Sequence, residues 1–362
     1  MVYILSTAVV LGLVILAHEL GHFFGAKAMG VKVERFSIGF PPKMFSKKIG
    51  ETEYVLSWIP FGGYIRMLGE HPGEEEEVPV QEQARSFSHK PIRARFLIVA
   101  AGPFSNFILA ILIFCAIFII EGIPHLSPFI GEIQKDMPAE AAGLMPEDKI
   151  LAINDQAVTY WEDVSTEIRD SAGEIIAVTI LRQEKTLTLE IKPKFVLRKD
   201  IFGEDHQVPQ LGIVARNEII TESVNPAKAL YYAVSRTWNV TKLITLTVVK
   251  LVQRKVPLES VGGPIFIAQL AGEQARAGLI NLLLLTAIIS INLGIINSLP
   301  FPVLDGGHLF FFVIEMIFRK PVSIRIREKA QQLGLIIIVL LMVLIFYNDL
   351  NRLFGFSDML PK

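Results

Sequence analysis

Residues 17 to 24 read AHELGHFF, inside the longer stretch VVLGLVILAHELGHFFGAKAMG at residues 9 to 30. The run from Val2 to Phe24 is apolar and long enough to span a bilayer, which takes roughly 20 residues of helix. His18, Glu19 and His22 interrupt it. An ionisable side chain at bilayer depth costs on the order of 3 kcal/mol on insertion scales, so this cluster needs a compensating partner. On a helix the two histidines lie one turn apart on one face, where both imidazoles can reach a single metal ion. Glu19 then stands beside the water such an ion would hold. This is the H-E-x-x-H arrangement of zinc hydrolases, and a metal would use the lone pairs that lipid cannot. The competing reading is a pair of histidines snorkelling at the helix end beside Lys27.

The chain has 362 residues, of which 51% are apolar, a balance that points to a membrane protein carrying a soluble insert. A net charge of −1 gives no broadly basic surface for nucleic acid. The single cysteine, Cys115, cannot form an intrachain disulfide. Four stretches can span a bilayer: Val2 to Phe24, Phe96 to Ile120, Leu279 to about Ile314, and Ala330 to Asn348. The first lacks a basic leader and reads as a retained helix, not a cleaved signal. RKPVSIRIREK, residues 319 to 329, holds five basic residues in eleven and is expected in the cytoplasm, which puts both termini outside. Residues 222–256 include a further apolar stretch interrupted by Lys242 and Lys250, expected as an amphipathic helix on the membrane surface.

Between the first two spans, VKVERFSIGF, TEYVLSW and GGYIRML alternate as strands do and are separated by Gly and Pro turns. They predict a small sheet on the cytoplasmic side, with the GEEEEVP run as a solvated loop. Residues 126–215 form the one segment of soluble-domain size. Pro138, Ala139, Ala142, Gly143, Leu144, Asp148, Ile150, Ile153 and Asn154 match the pattern of a bacterial PDZ domain, which this segment resembles. Glu147 and Asp155 stand where that pattern has glycine.

A catalytic zinc usually takes three protein ligands and keeps a position for water. The remaining candidates at comparable depth lie in INLGIINSLPFPVLDGGHLFFF, residues 291 to 312. Pro300 and Pro302 break the third span, and broken backbone within a membrane is tolerated where protein buries it or it lines a wet cavity. Asp305 follows the break, on the same half of the bilayer as His18 and His22. An N-cap is the other reading of Asp305, and on spacing His308 competes with it as ligand.

His18-Glu19-x-x-His22, GPFSN in the second span, one PDZ-like insert and NSLPFPVLDGG in the third span together resemble the site-2 protease family of intramembrane metalloproteases. The resemblance runs nearly end to end. It implies that Asp305 is the third zinc ligand and Glu19 the general base. It also implies that Asn292, Asn297, Pro300 and Pro302 shape a substrate groove, and that Gly63, Tyr64, Ile65, Arg66 and Met67 offer a strand edge to the substrate. The insert has room for one PDZ domain, where many proteobacterial relatives carry two.

The expected protein is therefore a polytopic α-helical membrane protein with four transmembrane helices, a membrane-associated β-sheet after the first helix, and one α+β PDZ-like domain between helices 2 and 3. Its segments are expected at 1–25 (helix 1 with the zinc motif), 26–95 (β region and loop), 96–121 (helix 2), 126–215 (PDZ-like domain), 222–256 (surface helix region), 278–318 (broken helix 3 with the third ligand) and 330–350 (helix 4). By the same resemblance it is a zinc metalloendopeptidase of the bacterial inner membrane, with both termini and the PDZ-like domain on the periplasmic side. Its expected partners are single-span membrane proteins within the lipid bilayer, an anti-sigma factor of an envelope stress response or remnant signal peptides. An inert tail-binding scaffold would lack the ligand set, and a secondary transporter would show internal repeats, which the sequence does not.

Overall fold

The computed structural model describes residues 1–70 and 78–354; the acidic run Glu74 to Glu77 lies outside them. The chain divides into two compact units, one of residues 1–116 with 230–362 and one of residues 117–229.

In the first unit, α1 (Val2–Ala28) buries Val10, Val14, His18, His22 and Ala26, a stripe at a spacing of four that places the histidines on its inward face. Two ribbons follow, β1 (Val33–Ile49) and β2 (Thr52–Met67). Each folds back on itself, because Ser37 pairs with both Val55 and Tyr64 while Val55 also pairs with Ser46. The result is four strands in the spatial order 43–49, 52–57, 33–38, 63–67, so Gly63 to Met67 forms an outer edge. Lys43 and Arg35 reach Glu53 across this sheet at 2.6 and 2.8 Å and hold its carboxyl down to about 2. That tie is complete above the ordinary carboxylate range and is lost as pH falls through the lowered value. Phe40, Met44, Phe45, Trp58 and Ile59 remain exposed on the sheet. Next comes α2 (Ile92–Glu121), which meets α1 at small residues: a Cβ on Gly21 would lie 2.2 Å from Ala101 O, and one on Gly25 would lie 3.2 Å from Ile98 Cα.

The second unit contains β3 (Ile123–Leu126), β4 (Ile130–Ile133), α3 (Pro138–Ala141), β5 (Lys149–Ile153), β6 (Gln156–Ala157), α4 (Trp161–Asp170), β7 (Ile176–Arg182), β8 (Lys185–Ile191), β9 (Lys194–Lys199), β10 (Asp205–Gln210), β11 (Ile213–Ala215) and β12 (Ile219–Glu222). A sheet in the order β6-β5-β7-β8 packs with α4 around Ile150, Ile153, Val164, Ile176, Val178 and Ile180. Asp148 is 1% exposed and receives Arg182 on both carboxylate oxygens at 2.7 and 2.6 Å. Glu147 and Asp155 both have positive φ, 71° and 64°, so the left-handed turns of the PDZ pattern persist here without glycine.

Back in the first unit, α5 (Pro226–Val252) leads to α6 (Pro264–Ala277), α7 (Leu279–Ser298), α8 (Asp305–Phe318) and α9 (Ile324–Phe354). By length and composition α1, α2, α7 and α9 are the four described helices able to cross a membrane. The third apolar stretch is two helices, because residues 299–304 carry Pro300 and Pro302 between α7 and α8. No element was expected for α6. It packs on α1, where a Cβ on Gly272 would lie 1.9 Å from Tyr3 Cδ1 and Arg276 covers the Tyr3 ring at 4.8 Å. Its first amides are capped by a distant residue: Asp349 of α9, 2% exposed, accepts from the N–H groups of Gly263, Ile265 and Phe266 at 3.0, 3.0 and 3.2 Å. A carboxylate at a helix N-terminus offsets both the dipole and the orphan donors. Asp349→Ala is expected to cost about 2 kcal/mol and to raise amide exchange at Gly263 to Phe266 well above that of α7, read by hydrogen–deuterium exchange in detergent.

Candidate metal centre

The inward stripe of α1 presents His18 Nε2 and His22 Nε2 3.3 Å apart, with the rings edge to face at 4.8 Å. Asp305 Oδ2 completes the cluster, 3.0 Å from His18 Nε2 and 3.4 Å from His22 Nε2. His22 Nδ1 lies 3.1 Å from Ile98 O; a proton shared there leaves Nε2 as a lone pair aimed at the cluster. Two imidazole lone pairs and a carboxylate oxygen facing one another repel unless positive charge lies between them. The donor set, two nitrogens and one oxygen from three side chains, is that of a catalytic zinc site with room for a further ligand. These residues fit the ion.

Each ligand is placed by close backbone packing. Gly102 of α2 lies against the metal-facing side of His22, and a Cβ there would come within 2.3 Å of Nε2. Ser105 Oγ lies 2.6 Å from Ala17 O, locking the same two helices one turn further on. Asp305 is the first residue of α8 and does not cap it; the N-cap is Leu304, without a side-chain hydrogen bond. Gly306 and Gly307 let α8 start hard against the preceding turn, since a Cβ on either would meet Leu299 O at 2.0 Å or Phe301 O at 2.3 Å. The far end of α8 is tied to α2 and α9 by Glu315, which pairs with Arg95 at 2.6 Å and Arg327 at 3.4 Å.

The other residues singled out in the sequence fall in different places. Glu19 neighbours the outer strand, as a Cβ on Gly63 would lie 3.2 Å from Glu19 Cγ. Tyr64 and Ile65 are half-buried, Met67 is buried and Arg66 is exposed along that strand. Pro300 and Pro302 lie in the turn before α8. His308, one turn beyond Asp305, is outside the three-residue cluster. Asn292 is exposed on α7 and Asn297 is half-buried; among the described residues neither is hydrogen-bonded to the cluster. Gly102 and the Ile98 carbonyl escaped the sequence reading. Gly102 had a signal, the GPFSN stretch, whereas a backbone acceptor has none.

The model of peptidase family M50 matches residues 6–341. A relative from Agrobacterium fabrum, named as a zinc metalloprotease, is 33% identical over 98% of this chain and 97% of its own length. Another so named, from Campylobacter jejuni, is 34% identical over 97% of this chain and 94% of its own. The regulator of sigma-E protease RseP of Salmonella typhimurium is 32% identical over 95% of this chain and 97% of its own. That last alignment runs over 445 positions, more than this chain contains, so that relative carries additional sequence. Among solved structures, the PDZ domain of an SdrC-like protein from Listeria monocytogenes shares 21% identity over 26% of this chain and 87% of its own, with a TM-score of 0.20.

The chain belongs to peptidase family M50, the site-2 protease family. It is a membrane-embedded zinc metalloprotease.

Because Gly102 gives its missing side chain to His22, Gly102→Ala should push the imidazole off its position. Overpacking of this kind costs about 1–3 kcal/mol, so zinc affinity measured by competition with a chelator should fall roughly 5- to 150-fold.

Proposed function

We propose that His18, His22 and Asp305 hold the zinc and that Glu19 is the general base of a peptide hydrolysis carried out within the bilayer. The convergence of the three ligand atoms on helices otherwise apolar is the observation that carries this reading. Zinc, when bound, supplies Lewis acidity to a water and to the scissile carbonyl. Glu19, next to His18 on α1, would be the group that accepts a proton from the attacking water and returns it to the departing amine. The buried stripe of α1 and the packing of α2 place both histidines in low-dielectric surroundings, which strengthens polar interactions there.

A helical substrate segment hides its carbonyls in hydrogen bonds and must unwind before it is cut. The edge strand Gly63 to Met67 runs beside Glu19 and is suited to pair with the unwound chain by strand addition, offering main-chain partners that lipid lacks. Pro300 and Pro302 lie in the turn leading to Asp305 and Asn297 in the last turn of α7 before it, and the three are proposed to shape the same groove. Asn292, exposed on α7, is proposed to line it as well. The substrates proposed are single-span membrane proteins, an anti-sigma factor already trimmed outside or remnant signal peptides, in keeping with the printed name of the RseP relative. The basic stretch Arg319 to Lys329 supports an inner-membrane topology with both termini and the PDZ-like domain on the periplasmic side.

In purified protein, Glu19→Gln is expected to keep one zinc per chain and lose cleavage of a single-span substrate, while His22→Ala and Asp305→Ala lose both. Zinc retained in Asp305→Ala but lost in His308→Ala would assign the third ligand to His308 instead.

The strand-addition role makes its own demand. Proline at Ile65 removes the main-chain donor that reaches the Glu19 carboxylate, and proline at Arg66 the donor on the alternate side of the strand; loss of a donor that pairs with the substrate should cost at least about tenfold in kcat/KM with zinc still bound. Full cleavage by both variants would remove the edge strand from the mechanism.

A further inference from the structure

The GPFSN stretch of α2 contributes Gly102 and Ser105 to the packing around His22, and its last residue has no role so far. Asn106 is 0% exposed, and neither its Oδ1 nor its Nδ2 has a hydrogen-bond partner among the described residues. A carboxamide kept as glue between membrane helices would bond one of them. Here the interhelical bond at this position is made by the main chain instead, with Ser290 Oγ of α7 donating to Asn106 O at 2.9 Å. An amide buried without partners is costly, and nothing in the helix packing uses this one.

Its direction follows from its place on the helix. Asn106 is one turn beyond Gly102 on the same face, and side chains on a helix lean toward the N-terminus, over the preceding turn. The carboxamide therefore leans over Gly102, the residue that borders His22 Nε2. Its neighbours fix the face independently. Ser105 is bonded to Ala17 O of α1, and the Phe107 ring lies 3.0 Å from where a Cβ on Gly294 of α7 would be. Asn106 thus faces the seam between α1 and α7, beside the ligand cluster, where His18 Nδ1 is likewise buried without a partner.

We infer that Asn106 is a substrate-binding residue of this centre, its carboxamide pairing with the main-chain N–H and C=O of one residue in the unwound segment being cut. The inference rests on the reading of the cluster as the protease site. A carboxamide is donor and acceptor at once. A residue in extended conformation directs its own N–H and C=O to the same side, so a single Asn can satisfy both. Such a contact favours the extended form over the helical one, whose main-chain groups are already paired. It is indifferent to the substrate's side chains, and the class of ligand it selects is an extended peptide main chain in an apolar setting.

The test uses the full chain in detergent, with a synthetic single-span segment that the wild type cleaves. Asn106→Leu, close in size and apolar, should keep one zinc per chain and melt at the same or a higher temperature, because an idle amide has been removed. On a Glu19→Gln background it should bind the labelled segment about tenfold or more weakly, with an equal or larger fall in kcat/KM when Glu19 is restored. Asn106→Ala, which cannot overpack, should behave alike. Binding and cleavage within twofold of wild type in either folded variant would overturn the inference, as would loss of zinc in parallel with loss of binding, which would mark Asn106 as a support of the ligands. Cleavage by Glu19→Gln alone at the wild-type rate would instead remove the protease reading, and this inference with it.

Discussion

Three lone pairs meet between His18, His22 and Asp305, and the first unit is arranged to make that meeting tolerable. The repulsion among the three donors is relieved when positive charge lies between them, and the donors sit where they do because α1, α2 and α8 pack closely around them. Small residues permit the approach. Gly21 and Gly25 bring α1 onto α2, Gly102 clears the metal side of His22, and Gly306 with Gly307 lets α8 begin at the broken turn. A single added methyl group at Gly21, Gly102, Gly306 or Gly307 collides with main chain or with His22, and at Gly25 it would be a tight contact, so the centre depends on glycines as well as on histidines.

The cost of this arrangement is spread over distant parts of the chain. Glu315 anchors α8 to Arg95 and Arg327, so the orientation of Asp305 is set at both ends of its helix. Asp349 anchors α6, which packs on the face of α1 that leads into the zinc motif. These are buried or half-buried charges with named partners, and removing one partner leaves the other unsatisfied. The catalytic helices are thereby held by polar locks at their ends and by apolar or glycine contacts between.

Much of this was legible in the sequence because two signals are local. The helical spacing of His18 and His22 and the length of the apolar runs need no tertiary information. Asp305 was narrower: spacing left His308 open, the choice followed from family resemblance, and in the fold the ligand atom of Asp305 joins those of the two histidines while His308 is outside the cluster among the described residues. What escaped is what depends on remote partners. α6 was missed because its apolar content is modest and its cap comes from Asp349, in another helix. The folding-back of β1 and β2 into four strands was missed in part because alternation marks a strand without telling which neighbour it takes.

The separation of the ligands along the chain has a consequence for biosynthesis. His18 and His22 leave the ribosome with the first span, while Asp305 belongs to the last third of the polypeptide. At roughly 5–20 residues per second, the carboxylate follows the imidazoles by about 15–60 s. On the proposed assignment of base and ligands, the nascent chain in that interval holds Glu19 and two histidines without their carboxylate partner, and the helix that carries Asp305 has yet to enter. With that ligand set, hydrolytic capacity arises only after the third apolar segment has been integrated. A chain lacking Asp305 would then be unable to attack neighbouring segments, its own included, while they are still being threaded into the membrane.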